Sequence, residues 1–538
     1  MLCETCLAIF AEPRKLSYGT YYPWGHSSAS FAKARKEGCH LCNIVWENRS
    51  YGDPSPEFDR DFPQGCTYAF KLLNSEWARN GRGSKWLVVP DPEGDGEPDI
   101  SEYLSAVEES PMTGLGHLLA TEAHEIFTRP APFWMVIDFY CPGPRIVIPL
   151  DIVKVTADNL EDMAQVNLDQ QAFTGSKENL QLACTWLNNC LGKHEQCRPS
   201  FEDESWLPTR LIYVGTLGTP AIRLVSTGSL SEKVRYAALS HRWGTNKEFV
   251  LTSTLLRTYE AEICPSNLSA TLRDAFHATR SIGLQYLWVD CLCIVQDDQD
   301  DWLRESATMG QVYGLSTCTI AATLGGNGDD GCFTTRNQCK VRPCKIPNPF
   351  DKTSSLRFYA RSQYIGEIYR REVKQSPWYR RGWVFQERTL SPRLLIFGKT
   401  QMLWACQKLH AAETWPCGAT SEDYIDRFES FEVHKSRLRT LLDKDQIISP
   451  WDTTWYIFIF SYTRSHLTRM SDRLIALQGL ASQIASVTDR QYCAGLWIDK
   501  TLPLSLLWNA YRPNTQRSEE YRAPTWSWAS IDGSIGFK

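Results

Sequence analysis

Cys3-x-x-Cys6 and Cys39-His-Leu-Cys42, with His26 between the pairs, are the residues best spaced for metal chemistry. Each Cys-x-x-Cys closes a tight knuckle, and two knuckles present four thiolates tetrahedrally to zinc. The expectation is a structural zinc on Cys3, Cys6, Cys39 and Cys42, with His26 as an alternative ligand. The competing reading is four reduced cysteines anchoring the ends of a helix. A second run, Cys190-x3-His194-x2-Cys197, lacks a fourth neighbour in sequence and reads as helix-end packing.

A different chemistry is suggested between Tyr286 and Thr323. An apolar run ending at Asp290, a polar loop, an amphipathic helix carrying Trp302, Met309, Val312 and Tyr313, and a second apolar run at Cys318–Ala322 read as a β-loop-α-β unit. In open α/β sheets the ligand crevice lies at the carboxyl ends of the strands, where Asp290, Gln296, Asp297 and Asp298 would stand. Asp290 has two readings, a catalytic acid or an acceptor for the amides of its own loop. Cys291 and Cys293 have no His near them in sequence, and burial would raise their pKa values and keep them inert. Ser240 and His241 are adjacent on a strand and so point to opposite faces, which disfavours direct activation of the serine.

The elements that would hold these groups can be read from periodicity. Strands are expected at Tyr236–Ser240, Tyr286–Asp290 and Cys318–Ala322 in one mainly parallel sheet, with a helix over Leu268–Ile282 packed on it. Further strands are expected at Phe133–Tyr140, and at Leu394–Phe397 paired with Gln401–Trp404. Helices are expected from Glu178 to Leu191 and from Thr468 to Ser486, and a buried strand near Tyr456–Tyr462. Gly325-Gly-Asn-Gly-Asp-Asp-Gly331 opens what reads as a long irregular insertion. Four regions follow: a Cys/His-rich segment at 1–50, an α+β region at 51–207, an α/β core at 208–405 and an α+β extension at 406–538.

Composition limits the function classes. A formal net charge of −5 without a long basic run argues against nucleic acid as the main partner. No stretch approaches the apolar length of a membrane span, and no secretory signal is visible, so a cytoplasmic protein is expected. The 19 cysteines are an odd number scattered through apolar contexts, which reads as reduced core residues without a disulfide framework. Most of the 20 Trp are expected in the core with their indole N–H bonded.

Three blocks together resemble the heterokaryon incompatibility (HET) domain of filamentous fungi: Tyr236-Ala-Ala-Leu-Ser-His-Arg-Trp-Gly244, the Tyr286–Thr323 unit, and Arg381-Gly-Trp-Val-Phe-Gln-Glu-Arg-Thr-Leu-Ser391. His241 stands where the family usually has Tyr, and Val295 where it usually has Asn. The early cysteines and the C-terminal blocks, such as Ala523-Pro-Thr-Trp-Ser-Trp-Ala-Ser530, also resemble fungal HET proteins. More remotely, the core resembles TIR (Toll/interleukin-1 receptor) domains, which implies a TIR-like, Rossmann-like fold. Ser240-His241 then corresponds to the Ser-Tyr pair that opens that domain, and Trp383-Val-Phe-Gln-Glu387 to its W-C-x-x-E turn.

The HET resemblance implies nonself recognition and regulated cell death, and the TIR likeness implies cleavage of NAD or a related nucleotide, with Glu387 as the catalytic carboxylate and Asp290 beside it. Ser240, Arg242, Trp243, Arg381 and Trp383 would bind the nucleotide, the arginines through its pyrophosphate and the indoles by stacking. Glu387 has a competing reading as a structural ion pair with Arg381 and Arg388. The rival functions are a signalling module that works by self-association with a protein partner, and a metabolic enzyme on the same scaffold.

Overall fold

A computed structural model describes residues 2–9, 22–23, 25–47, 67–73, 133–140, 146–155, 172–197, 205–243, 250–324, 328–337, 341, 344–346, 357–362, 368–420, 437–438, 441–442, 454–488, 490–511, 516–518 and 520–537. The chain divides into two compact units, Met1–Leu168 with Asn337–Tyr364, and Asp169–Arg336 with Ile365–Lys538.

In the first unit, β1 (Tyr22–Pro23), β2 (Thr67–Leu73), β3 (Phe133–Tyr140) and β4 (Ile146–Val155) form an antiparallel sheet completed by β11 (Arg357–Ser362) and β10 (Cys344–Ile346). The last two strands come from the segment that reads in sequence as an irregular insertion. Their polar residues give no alternating pattern, and their pairing partner β4 lies far away in sequence, so the local signal is weak. Three short helices, Glu4–Ile9, Ser28–Lys36 and His40–Glu47, belong to the same unit. Ser27 and Ser30 form a reciprocal capping box at the start of the second.

The second unit is built on nine strands in the order β15 (Trp415–Thr420), β14 (Leu409–Ala412), β13 (Met402–Cys406), β12 (Arg393–Phe397), β9 (Cys318–Ala322), β7 (Tyr236–Ser240), β8 (Tyr286–Trp288), β5 (Arg210–Gly215) and β6 (Pro220–Ser226). The expected strands β7, β8 and β9 are neighbours and parallel, and β12 is parallel to β9. All remaining pairings are antiparallel, so the sheet is mixed rather than mainly parallel. The reason is connection length. Helices join the central strands and permit parallel crossovers, whereas hairpins such as β12 to β13 force antiparallel pairing.

The helix Ala270–Ser281 forms where expected, capped by Ser269, and buries Leu272, Ala275, Phe276 and Thr279. The helices Lys177–Lys193 and Ile475–Thr488 also match the periodicity. Thr454–Tyr462 is a helix, not a strand. Its aromatic and β-branched residues favour strands intrinsically, but Trp455, Phe458, Ile459 and Tyr462 all enter one aromatic core with Phe385 and Trp497. Tertiary packing therefore overrides propensity.

Three helices, Gln299–Leu315, Gly382–Leu390 and Ile475–Thr488, pack against one another. Gly310 and Gly479 make this possible, since a Cβ on Gly310 would lie 2.6 Å from the Gly479 Cα. The Gln386 side chain fastens the crossing by accepting the Gly479 N–H at 2.9 Å. Glu387 is the next residue on the same helix. Many indoles do carry bonded N–H groups, among them Trp455 and Trp528, which both donate to the Gly495 carbonyl at 2.9 Å. Trp288, Trp404 and Trp497 bury theirs without a partner among the described residues. No helix among the described residues is long and apolar enough to cross a membrane.

Candidate functional site

Parallel β7 and β8 both end at the same side of the sheet, so Ser240, the last residue of β7, and Asp290, just past β8, come together there. Asp290 opens a short helical turn, Asp290–Cys293, rather than closing a strand. The Gly382–Leu390 helix delivers Glu387 to Ser240, whose hydroxyl donates to the Glu387 carboxylate. Trp378 donates its indole N–H to the same hydroxyl at 2.7 Å. The Tyr313 phenol lies within hydrogen-bond reach of Glu387 and donates to the Leu239 carbonyl at 3.2 Å. Arg381 donates to the His241 carbonyl, and its charge acts on Glu387.

Glu387 is only 4% exposed. Burial pushes its pKa up to about 7, with Arg381, Ser240 and Tyr313 opposing and Asp290 adding to the rise. Burial likewise holds His241 down to about 4, so its imidazole is neutral. Its Nδ1 is buried without a hydrogen-bond partner among the described residues. His241, Asp290 and Cys291 bring ligand atoms within 4.8 Å of one another.

The nucleotide-binding expectations divide. Ser240, Arg381, Asp290 and Glu387 are brought together, and Trp243 joins them by donating to Asp290 Oδ2 at 2.8 Å. Arg242 is half-buried next to Trp243 in the chain. Trp383 is placed elsewhere, packed against the C-terminal core with its indole N–H 3.3 Å from Asp472. Arg388 stacks over the Tyr379 and Phe385 rings. Asp297 binds Ser253 through its backbone N–H and hydroxyl, and Asp298 caps the Gln299–Leu315 helix, so these loop acids serve local structure. Burial raises the Cys291 and Cys293 thiols, the latter to about 12.

Trp378 and Tyr313 were not legible as site residues. Trp378 follows Ser376-Pro377 without any motif, and Tyr313 falls on the inner stripe of its helix, where an aromatic reads as core. A cavity of about 460 Å³ lies past the end of β9, lined by Thr323, Phe333, Arg371, Glu372, Gln375 and Lys399 among others. None of Ser240, Asp290, Arg381 and Glu387 lines it.

The N-terminal cysteines also converge. The four sulfurs of Cys3, Cys6, Cys39 and Cys42 lie within 4.8 Å of one another, with Cys6 to Cys42 at 3.5 Å and Cys39 to Cys6 at 3.7 Å. Tetrahedral zinc with sulfurs at about 2.3 Å spaces them about 3.8 Å apart, so the cluster can hold such a metal. His26 Nε2 stands 3.5 Å from Cys42 and 3.6 Å from Cys3. Burial lowers the His26 pKa, which keeps the ring neutral as a ligand requires. The Cys190, His194, Cys197 triplet gains from β13 the fourth neighbour that sequence adjacency does not show, Cys406.

No curated protein and no solved structure gives a significant match to the chain. Residues 236–387, from the first residue of β7 to the buried carboxylate of Glu387, match the family model described as Heterokaryon incompatibility protein (HET), so the segment that builds the site is similar to that family.

Proposed function

We propose that this chain acts in fungal nonself recognition and regulated cell death through its HET domain, and that the Glu387 network is the domain's chemical centre, cleaving the bond between nicotinamide and ribose in NAD or a related nucleotide. The observation that carries this reading is the convergence of Ser240, Asp290, Arg381 and Glu387 at the carboxyl ends of parallel β7 and β8. Breaking that bond passes through an oxocarbenium-like state: the nicotinamide takes the bonding electron pair and leaves neutral, so no general acid is needed, and water adds to the ribose C1′ and gives up its proton to solvent. A single carboxylate near the ribose stabilises the developing positive charge, while Arg381 neutralises phosphate. With Glu387 buried, the site must open before a nucleotide can reach the carboxylate. The test is release of nicotinamide from NAD by the purified full chain, compared with Glu387→Gln. Turnover that survives unchanged in the folded variant refutes the assignment of Glu387.

A second reading is a non-enzymatic module that signals by self-association. It is favoured by the exposure of large apolar side chains near the C-terminus, Leu504, Leu506, Leu507, Tyr511 and Tyr521. Absence of turnover together with concentration-dependent association would select it.

A further inference from the structure

The Lys177–Lys193 helix ends without a glycine cap. His194 donates its backbone N–H to the Cys190 carbonyl, and the turn Glu195–Cys197 brings the Cys197 N–H to the His194 carbonyl at 3.1 Å. This fold-back gathers Cys190, His194 and Cys197 over Cys406, the last residue of β13. The three sulfurs and an imidazole nitrogen lie within 4.8 Å of one another, and His194 Nδ1 is 3.5 Å from the Cys406 sulfur. Zinc bound to sulfur at about 2.3 Å and nitrogen at about 2.0 Å sets that tetrahedral sulfur-to-nitrogen separation at about 3.5 Å.

Two further observations favour a cation over simple thiol packing. A backbone N–H is aimed at one of the sulfurs, that of Leu409 at Cys406, 3.3 Å away. Such donors stabilise thiolates, whereas buried thiols do not require them. The second is Arg393, only 4% exposed. It donates to the Cys190 sulfur at 3.2 Å, to the Cys197 carbonyl at 2.9 Å and to the Thr317 carbonyl at 3.2 Å, and none of these acceptors is a carboxylate. A buried guanidinium needs an opposing charge. Three thiolates, a neutral imidazole and a divalent ion carry a formal charge of minus one, which supplies it.

We propose that Cys190, His194, Cys197 and Cys406 bind a structural zinc ion that fastens the Lys177–Lys193 helix to the end of β13. Thiolate and imidazole ligands suit zinc, and four protein ligands leave no open position for catalysis. A disulfide could join only two of the three sulfurs and would leave the Leu409 N–H and Arg393 facing neutral groups.

The experiment measures zinc in the purified full chain, in Cys39→Ser/Cys42→Ser, which removes the N-terminal cluster, and in that variant with a further change. The double variant should keep about one zinc per chain, which Cys406→Ser removes and His194→Cys preserves. Replacement by Co2+ should give tetrahedral d–d bands that shift with His194→Cys, as a donor set of three sulfurs and one nitrogen becomes one of four sulfurs. Where the double variant does not fold, the comparison is wild type against Cys406→Ser alone, with a loss of about one zinc expected. Zinc content of zero in the folded double variant, or content unchanged by Cys406→Ser, overturns the proposal.

Discussion

The cysteine cluster of the N-terminal unit and the Glu387 network of the second unit both gather polar groups away from water, yet only the network is complete in itself. Ser240, Tyr313 and Arg381 already satisfy or oppose the Glu387 charge, and Trp378 holds the Ser240 hydroxyl. The four thiols at Cys3, Cys6, Cys39 and Cys42 have chiefly one another. Contact with Cys39 and Cys42 pushes the Cys6 thiol up, while contact with Cys42 and Cys6 pulls Cys39 down. A set of mutually opposed thiols calls for an external cation, whereas a satisfied network calls for an opening motion.

The widest gap between the two regions should appear on removing the cysteines. Cys39→Ser/Cys42→Ser should abolish zinc binding there and unfold the helices at residues 4–9, 28–36 and 40–47, because structural zinc contributes on the order of 10 kcal/mol to such small folds. Hydrogen exchange of residues 2–47 checks this. Exchange that stays protected would mean that the cysteines are ordinary core residues and that the contrast is false.

Glu387→Gln comes next. Loss of a preorganised charge should lower nicotinamide release about a hundredfold, or about 3 kcal/mol. Stability should move the opposite way. Glu387 has its pKa raised from 4.5 to about 7, so its contribution is fully present below pH 4.5 and is lost as pH rises through about 7. At pH 8 the Gln variant should therefore be more stable than wild type by up to about 3 kcal/mol, with the difference vanishing near pH 4. Activity of the wild type should rise over the same interval in which its stability falls, since the carboxylate is the working form. Denaturation curves at both pH values and a pH–rate profile test the pair of signs. A lower melting temperature for the variant at pH 8 would mark Glu387 as a structural charge.

What the sequence made legible follows the range of each signal. Cys3-x-x-Cys6 and Cys39-His-Leu-Cys42 are local spacings, so their convergence was readable. β7, β8 and β9 carry apolar runs punctuated by helices, so their parallel neighbourhood was readable too. Cys406 was invisible as a partner of Cys190 because only tertiary pairing of β13 brings it near. Trp378 was hidden for the same reason, and Trp383, which has the right spacing from Glu387, turns out to face Asp472. Helical spacing puts side chains on a common stripe but does not say which neighbour that stripe meets.

Trp378→Phe sharpens the comparison from the network side. It removes the N–H donated to Ser240 and leaves a smaller aromatic ring in the same core. The Ser240 hydroxyl then depends on Glu387 alone, and the cost should be about 1–2 kcal/mol with nicotinamide release reduced less than in Glu387→Gln. Equal losses of release in the two variants would mean that Trp378 touches the nucleotide itself.

The smallest effect separates two roles for His26 at the cysteine cluster. Its Nε2 approaches three of the sulfurs, at 3.5, 3.6 and 3.9 Å, while Nδ1 is 3.1 Å from the Ser30 hydroxyl. If His26 replaces a cysteine as a ligand, Ser30 orients its ring, and Ser30→Ala should weaken zinc binding about tenfold or more, as loss of an outer-shell partner does. If the four sulfurs hold the metal, Ser30→Ala removes only its half of the capping box with Ser27, where its hydroxyl accepts the Ser27 N–H at 2.8 Å. That costs about 0.5–1 kcal/mol of helix stability and leaves zinc affinity almost unchanged. Competition with a chromogenic chelator reads affinity and thermal melting reads the cap, so the ratio of the two effects assigns the ligand set.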